Sequence, residues 1–380
     1  MQTQEQKESW IQRVIDFSAR NSLLVLILAA IISAGAYVAM KNIPMDALPD
    51  LSDTQVILYS KWDRSPDIIE DQVTYPIIRS LLGAPGVKSI RGFSDFGYSY
   101  VYVIFEDGTD IYWARSRVLE YLSKILPTLP QGVQTEIGPD ATAVGWIYQY
   151  AITDESGNHD LAELRSYQDW NLRYQLQSLQ GVAEVASIGG FVKQYQVHIN
   201  PASLLAYDLK LPEVADAIRR SNDESGGRLL EMSGREYMIR GRGYIKNLED
   251  IENIAVGSDP KTGTAILLKQ LGRIEIGPDM RRGAADLDGI GDAPGGIVVM
   301  RQGENALNVI ERVKQRIAEI EPYLPEGMKI VTTYDRSELI KKSIDTLRHT
   351  LLEEILIVSL VILLFLWHWP SASVAIITIP

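Results

Sequence analysis

Asn21-Ser-Leu-Leu-Val-Leu-Ile-Leu-Ala-Ala-Ile-Ile-Ser-Ala-Gly-Ala-Tyr-Val-Ala-Met40 contains no charged side chain. A hydrocarbon core of about 30 Å takes about 20 helical residues at ~1.5 Å rise each, so this run is long enough to cross a bilayer. Its apolar part exceeds the ~7–15 residues of a signal-peptide core, and the segment before it is mixed in charge rather than basic (Glu5, Lys7, Glu8, Arg13, Asp16, Arg20). The run therefore predicts a retained membrane helix over residues 21–42, behind a cytoplasmic N-terminus of residues 1–20.

A second apolar run, Leu351 to Trp367, has Glu353 and Glu354 near its start and Trp367-His368-Trp369 at its end, an arrangement that suits an interfacial belt. It predicts a second span over 349–369. A third apolar run opens at 372 and reaches Pro380, the expected start of a third span in a chain expected to continue past that residue. Arg13 and Arg20 before the first span, against Asp46, Asp50 and Asp53 after it, place the N-terminus in the cytoplasm and the large domain outside. The loop from Trp367 to Ser373 has no Lys or Arg with which to test that orientation.

The net charge of −12 excludes a nucleic-acid surface, which needs a basic stripe. With no cysteine, the domain has neither disulfides nor thiolate metal sites. Its stability has to come from its own core, and a hydrophobic content of 46% is ordinary for a globular fold.

Between the spans the periodicity switches repeatedly. Gln55-Val-Ile-Leu-Tyr59 reads as a strand. Ser65-Pro66-Asp67 reads as a helix start, with Ile69, Val73 and Ile77 on one face until Pro76 kinks or ends the helix. Val87 to Phe93 and Tyr98 to Phe105 read as strands, the second alternating strictly. Asp110 caps a helix with Ile111, Val118, Leu119, Leu122, Ile125 and Leu126 on one face, and Val133 to Ile137 closes the unit. The order is βαββαβ, the ferredoxin-like or split βαβ unit. The chain is thus an α+β membrane protein.

The theme returns. Pro85-Gly-Val-Lys-Ser-Ile-Arg-Gly-Phe93 has a relative in Gln180-Gly-Val-Ala-Glu-Val-Ala-Ser-Ile-Gly-Gly-Phe191, preceded by a helix bearing Leu161, Leu164, Leu172, Leu176 and Leu179. The strand Tyr195 to Ile199 follows it, which makes a second copy. A third, partial copy runs from Ile297 to Arg301 through a helix with Ala306, Leu307, Ile310, Val313, Ile317 and Ile320 to Lys329–Thr333. Between them, Leu229 to Met232 and Glu236 to Arg240 read as a projecting hairpin. Gly289-Ile-Gly-Asp-Ala-Pro-Gly-Gly296 lacks the ending of a phosphate loop and reads as a flexible turn.

Pro44-Met-Asp-Ala-Leu-Pro-Asp-Leu-Ser-Asp53, Val103 to Tyr121 and Gly138-Pro-Asp-Ala-Thr-Ala-Val-Gly-Trp-Ile-Tyr148 closely resemble the heavy-metal efflux branch of the RND transporters, the CusA/CzcA type. So do Pro278-Asp-Met-Arg-Arg-Gly283 and Thr332-Thr-Tyr-Asp-Arg-Ser337. The resemblance implies the RND transporter fold and a proton-driven exporter of metal cations in the bacterial inner membrane, multi-pass, with its large domain in the periplasm. It implies no resident cofactor beyond the transported ion, and a homotrimer working with a periplasmic adaptor and an outer-membrane channel protein. On this frame residues 43–140 are the first porter subdomain and 141–225 a repeat in the porter and docking region. Residues 226–278 are the docking subdomain with its hairpin, and 279–338 return to the porter. The chain would be the N-terminal third of such a pump, with the proton-relay residues downstream.

Candidate sites follow. The four histidines are scattered, so an imidazole site is not expected. Soft thioethers suit Cu(I) or Ag(I), and Met40, Met45, Met232, Met238, Met280, Met300 and Met328 supply them, although most methionines are core fillers. Met280 stands apart, because the resemblance places a relay methionine in its Pro-Asp-Met-Arg-Arg-Gly stretch. Asp46, Asp50 and Asp53 form a solvated loop before they form a cation funnel. Glu353 and Glu354 read as a solvated helix end. The hairpin carries Arg228, Arg235, Arg240 and Arg242, and the resemblance makes it an arm reaching a neighbouring protomer. No catalytic constellation is present, so the reading is a secondary transporter and not an enzyme. Alternatives are a divalent-cation exporter of zinc, cobalt or cadmium, a non-transporting periplasmic binding or adaptor module, and an ABC-type permease subunit.

The orientation is testable because the native chain lacks cysteine. A cysteine at Asp160 or Asn158 reacts with a membrane-impermeant thiol reagent added outside the inner membrane, and one at Gln6 does not. Labelling at Gln6 with protection at both other sites inverts the topology.

Overall fold

Asn21 divides the opening helical run. In the computed structural model, which describes residues 10–43, 46, 48–259, 262–281, 283–369, 372, 373 and 376, helix α1 (Trp10–Arg20) is separated from α2 (Ser22–Asn42) by this one residue. Ser22–Ala39 is apolar and long enough to cross a bilayer, and none of it is covered by protein. Helix α1 is new, since residues 1–20 gave no helix in the sequence reading. The third apolar run, Met45 and Arg282 fall wholly or largely outside the described residues.

The alternation in Tyr98–Phe105 builds the first unit. Its strands are β1 (Gln55–Lys61), β2 (Val87–Asp95), β3 (Tyr98–Phe105) and β4 (Gln134–Ile137), antiparallel throughout in the order β2-β3-β1-β4. Val101, Val103 and Phe105 are fully buried against helix α3 (residues 66–81) and helix α4 (Ile111–Ile125). Asp110 caps α4 as expected, accepting from the Trp113 N–H at 2.8 Å.

Two expectations for this unit fail in part. Leu119 is 53% exposed because the buried face runs through Ala114, Val118 and Leu122 and Leu119 lies about 100° round the helix from Val118, and Leu126, 40% exposed, lies past the helix in a 3₁₀ turn. Of the two outcomes expected at Pro76, a kink or an end, the end does not occur, and the helix runs on to Leu81. Glu70–Thr74 is a π turn with the Tyr75 N–H bonded to Glu70 O. The wider turn carries the proline ring past the carbonyl that it would strike in an α-helix. Ile69, Val73, Ile77 and Leu81 remain buried in line.

The next segments are β5 (Trp146–Asp154), α5 (residues 161–177, with a π turn at Gln168–Leu172) and β6 (Val182–Ile188). There follow β7 (Lys193–Ile199), α6 (Pro201–Ala206), α7 (Leu211–Ser221), β8 (Ser225–Met232), β9 (Arg235–Gly241) and α8 (Leu248–Glu252). After these come β10 (Ala255–Ser258), β11 (Ala265–Leu267), β12 (Gly272–Pro278), β13 (Asp286–Leu287) and β14 (Gly291–Asp292). The chain then returns in β15 (Gly295–Met300), α9 (Ala306–Ile320), β16 (Met328–Asp335) and α10 (Arg336–Leu366).

The second sheet is ordered β16-β5-β15-β6, all antiparallel. Its strand order repeats that of the first unit, so the expected second and third copies are the two halves of one unit. Residues 193–292 are inserted between them. Tyr195–Ile199 is a strand, but it leaves this sheet and pairs with Gly272–Pro278 instead. Local periodicity identifies a strand and says nothing of its partner. The insertion has its own core around Val214, Ile251, Ile266, Leu268 and Leu271. From it projects the hairpin β8–β9, whose Ser233-Gly234 turn has positive φ at both residues (53 and 70), the type I′ geometry.

Helix α10 starts at Arg336, well before the expected 349, with Asp335 as cap accepting from the Ser337 N–H at 2.9 Å. Ile340 and Ile344 pack on the second core before the helix turns apolar. Lys314 of α9 pairs with Asp335 and donates to Ser337 Oγ at 3.0 Å. Burial alone raises the Asp335 pKa, yet the bonds from Lys314 and Ser337 prevail and hold it below the usual range. Arg336 is 4% exposed, with Nη1 3.0 Å from Asp46 Oδ2, which ties the exit of α2 to the entry of α10.

Removing one partner strands a buried guanidinium. Asp46→Asn is expected to cost about 3 kcal/mol, the low end for a broken buried pair because Asp46 is partly exposed. Arg336→Met in the same background recovers most of it. Denaturation in detergent reads both, and unchanged stability of Asp46→Asn would show that the pair holds nothing.

Candidate functional site

The insertion joins the second unit through a neck, and the neck borders a cleft. The chain leaves β6 through Gly189 and Gly190, whose φ values of 67 and 64 suit glycine. A Cβ at Gly189 would lie 2.3 Å from Ala293 O, so the two crossings touch here. On the return, the Asp279 N–H bonds Val192 O at 2.9 Å, and the Asp279 carboxylate takes the Met280 N–H at 2.7 Å. Arg281 lies 5.0 Å over the Phe191 ring, pairs with Asp292 and donates from Nε to Gly283 O at 2.8 Å. Arg165 braces the other side, with Nη1 on Gly189 O at 2.6 Å and Nε on Asp169 at 2.8 Å.

Lys61, Asp63 and Tyr98 of the first unit face this neck across a cavity of about 410 Å³, and Met280 lines it. The Met280 side chain is 71% exposed, so it is no core filler. Its thioether is a soft donor open to water beside both charge signs. One thioether is not a closed metal site. Among the described residues there is also no group of three or more His, Asp or Glu able to hold a metal ion.

The other candidates separate. Met300 and Met328 are buried in the second core, as the filler reading has it. Met232 and Met238 are exposed on the hairpin, and the Met40 side chain is outside the described residues. His159 stands 3.5 Å from Glu163 and His198 3.1 Å from Glu275, far apart in the chain. Asp46 is taken by Arg336, Asp50 receives the Ser52 N–H at 3.0 Å, and Asp53 pairs with Lys88 at 3.2 Å. These acids brace the loop.

A larger cavity of about 860 Å³ lies between the start of α5 and β13–β14, lined by apolar Ile152, Leu161, Leu164 and Leu287. Asp154 borders it with its pKa lowered to about 2, chiefly by the Ser156 hydroxyl and the His159 N–H, so its carboxylate is spent on the turn. This cavity has no soft donor. The flexible-turn reading of Gly289–Gly296 holds only for its first part. Gly295 and Gly296 open β15, where a Cβ would meet Tyr150 O at 2.1 Å and Tyr150 Oη at 2.4 Å, so they are glycine for close approach.

On the hairpin, Arg240 pairs with Glu224 of its own chain at 2.7 Å. Arg228, Arg235 and Arg242 sit on or beside the same exposed ribbon. Sequence reasoning missed the bracing residues. Asp140 accepts from Tyr112 Oη at 3.0 Å and lies 3.7 Å from Arg301, linking the first unit to the second.

Residues 14–380 match the AcrB/AcrD/AcrF family. The chain is 52% identical over 371 residues to the cation efflux system protein CusA of Escherichia coli K12, and 51% identical to the putative cation efflux system protein SilA of Salmonella typhimurium. Both alignments take in 97% of this chain and 35% of the relative. The cobalt-zinc-cadmium resistance protein CzcA of Cupriavidus metallidurans is 36% identical over 377 residues, 97% of this chain and 35% of its own. A crystal structure of a heavy metal efflux pump superposes with a TM-score of 0.86 at 31% identity, over 97% of this chain and 36% of that one. The chain therefore spans about a third of the length of the relatives it matches, and from sequence and fold together it belongs to the AcrB/AcrD/AcrF family of RND transporters, in the heavy-metal efflux branch.

Proposed function

We propose that this chain is the N-terminal part of a proton-driven exporter of heavy-metal cations, Cu(I) or Ag(I), in the bacterial inner membrane. The observation that carries the reading is the exposed Met280 thioether on the cleft between the two units. Soft monovalent ions favour thioethers, whereas zinc, cobalt or cadmium favours carboxylates and imidazoles. The identity of 51–52% to two cation efflux proteins, against 36% to the cobalt-zinc-cadmium resistance protein, supports the same choice. Membership of the family sets aside the ABC-type permease.

In this reading both four-stranded units are ferredoxin-like porter subdomains, a view supported by their common strand order. Residues 43–140 are the first, and the halves flanking residues 193–292 are the second. The insertion is the docking subdomain, the large domain is periplasmic, and α2 and α10 are spans. Ions enter the cleft and Met280 passes them inward by ligand exchange, while residues downstream of this chain move the protons. The assembly is a homotrimer that meets a periplasmic adaptor and an outer-membrane channel protein. The hairpin, with Arg228, Arg235 and Arg242 on or beside its surface, reaches a neighbouring protomer, because a ribbon without a partner is marginal in water.

Met280→Ile in the full pump is expected to lower the host's tolerance of copper or silver at unchanged protein level. Equal tolerance in both strains removes Met280 from the pathway. Deletion of Leu229 to Arg240 is expected to leave the protomer folded and to reduce the trimer fraction in detergent, read by native mass spectrometry. A trimer of undiminished stability would count against the arm.

A further inference from the structure

Helix α1 has no part in the transport reading, yet it is strongly two-faced. Trp10, Val14 and Phe17 follow one line down the helix by 4/3 spacing, with Ile11 and Ile15 on its flank. All five are 46–78% exposed. Arg13, Asp16 and Arg20 occupy the opposite arc. An isolated helix of this length is marginal in water, so a surface has to cover the apolar arc.

We infer that α1 lies in the lipid–water boundary on the N-terminal side of the membrane, with Trp10, Val14 and Phe17 turned into the acyl region. This rests on reading α2 as a span. The joint between the two helices supports it. The Asn21 N–H and side-chain amide both bond Phe17 O at 3.0 Å, and the Val25 N–H bonds Asn21 O at 3.1 Å, so α1 stays at the mouth of α2. Asn21 itself has φ −118 and ψ 44, outside the helical region, so the chain changes course there. A straight extension of α2 would hold five large apolar side chains in water. The apolar arc instead continues the lipid-facing surface of the span, and a tryptophan near its end suits the headgroup boundary. Two arginines against one aspartate give the outer arc a basic balance that suits phosphate headgroups.

Because the chain has no cysteine, single nitroxides report cleanly. The 380-residue chain is placed in phosphatidylcholine–phosphatidylglycerol nanodiscs with a label at Val14, Asp16, Phe17 or Arg20, and at Ile27 within α2 as the control. Accessibility to oxygen relative to a water-soluble nickel chelate is expected to be several-fold higher at 14 and 17 than at 16 and 20, with 27 lipid-like. Nickel reaching all four outer sites while 27 stays lipid-like puts α1 in water and overturns the inference. So does exclusion of both reagents at 14 and 17, which would mean that protein covers the arc. A water-exposed site 27 overturns the span reading itself, and the inference with it.

Discussion

The backbone ladder between Gly295–Met300 and Val182–Ile188 holds together two halves of a unit that the chain separates by a whole subdomain. Closing a loop on the order of 100 residues costs about 4 kcal/mol beyond the fixed cost of meeting at all. One fully buried aliphatic side chain contributes about 1.5–3 kcal/mol, and Ile147, Ile152, Val185, Val298 and Ile310 are all fully buried at this junction. The closure is affordable because β5 and β15 are the two central strands, with β16 on one edge and β6 on the other. Gly295 and Gly296 let β15 come against Tyr150, whose hydroxyl donates to the buried Gln168 at 2.8 Å.

Everything on the insertion hangs from that closure. The insertion has a separate core and meets the second unit where its two connecting strands cross. That crossing is braced by Arg281–Asp292 and Arg165–Asp169, which are partly exposed, so each pair is worth little in stability and more in orientation. The cleft follows from the neck, since its far wall is formed where the central strands β1 and β3 of the first sheet meet at Lys61 and Tyr98. Met280 lines the cleft because it follows β12 directly, where the returning strand has run out of ladder partners.

The sequence made the strands and capped helices legible where the physics is local. Tyr98–Phe105 alternates, Asp110 precedes an apolar-periodic run, and Ser22–Ala39 carries no charge. What was not legible depends on partners. Tyr195–Ile199 looks like a strand of the second copy, but its ladder is made with a segment about 80 residues away. The π turn that admits Pro76 leaves no compositional mark. Leu119 reads as core because it is apolar and helical, while the buried line runs through small Ala114. Helix α1 is hard to read because its mixed charges interrupt a short apolar line, Trp10, Val14 and Phe17. At the site, Met280 could be picked out only through family resemblance, since one exposed methionine has no pattern. The ion pair of Arg336 with Asp46 joins residues too distant in sequence to be paired by reading, and that of Arg281 with Asp292 depends on how the neck crosses.

Helix α10 has a mechanical consequence. Its 31 residues make a rod of about 46 Å, longer than the ~30 Å hydrocarbon layer. The same rod is wedged at its upper end, where Ile340 and Ile344 sit in the core and Arg336 and Asp335 are pinned to Asp46 and Lys314. No loop or glycine lies between the anchored end and the apolar end to absorb rotation. A tilt of about 5° at the lower end displaces the upper end by roughly 4 Å over that length. Because β16 runs directly into the rod, a tilt of that size would be carried to the second sheet rather than absorbed at a joint.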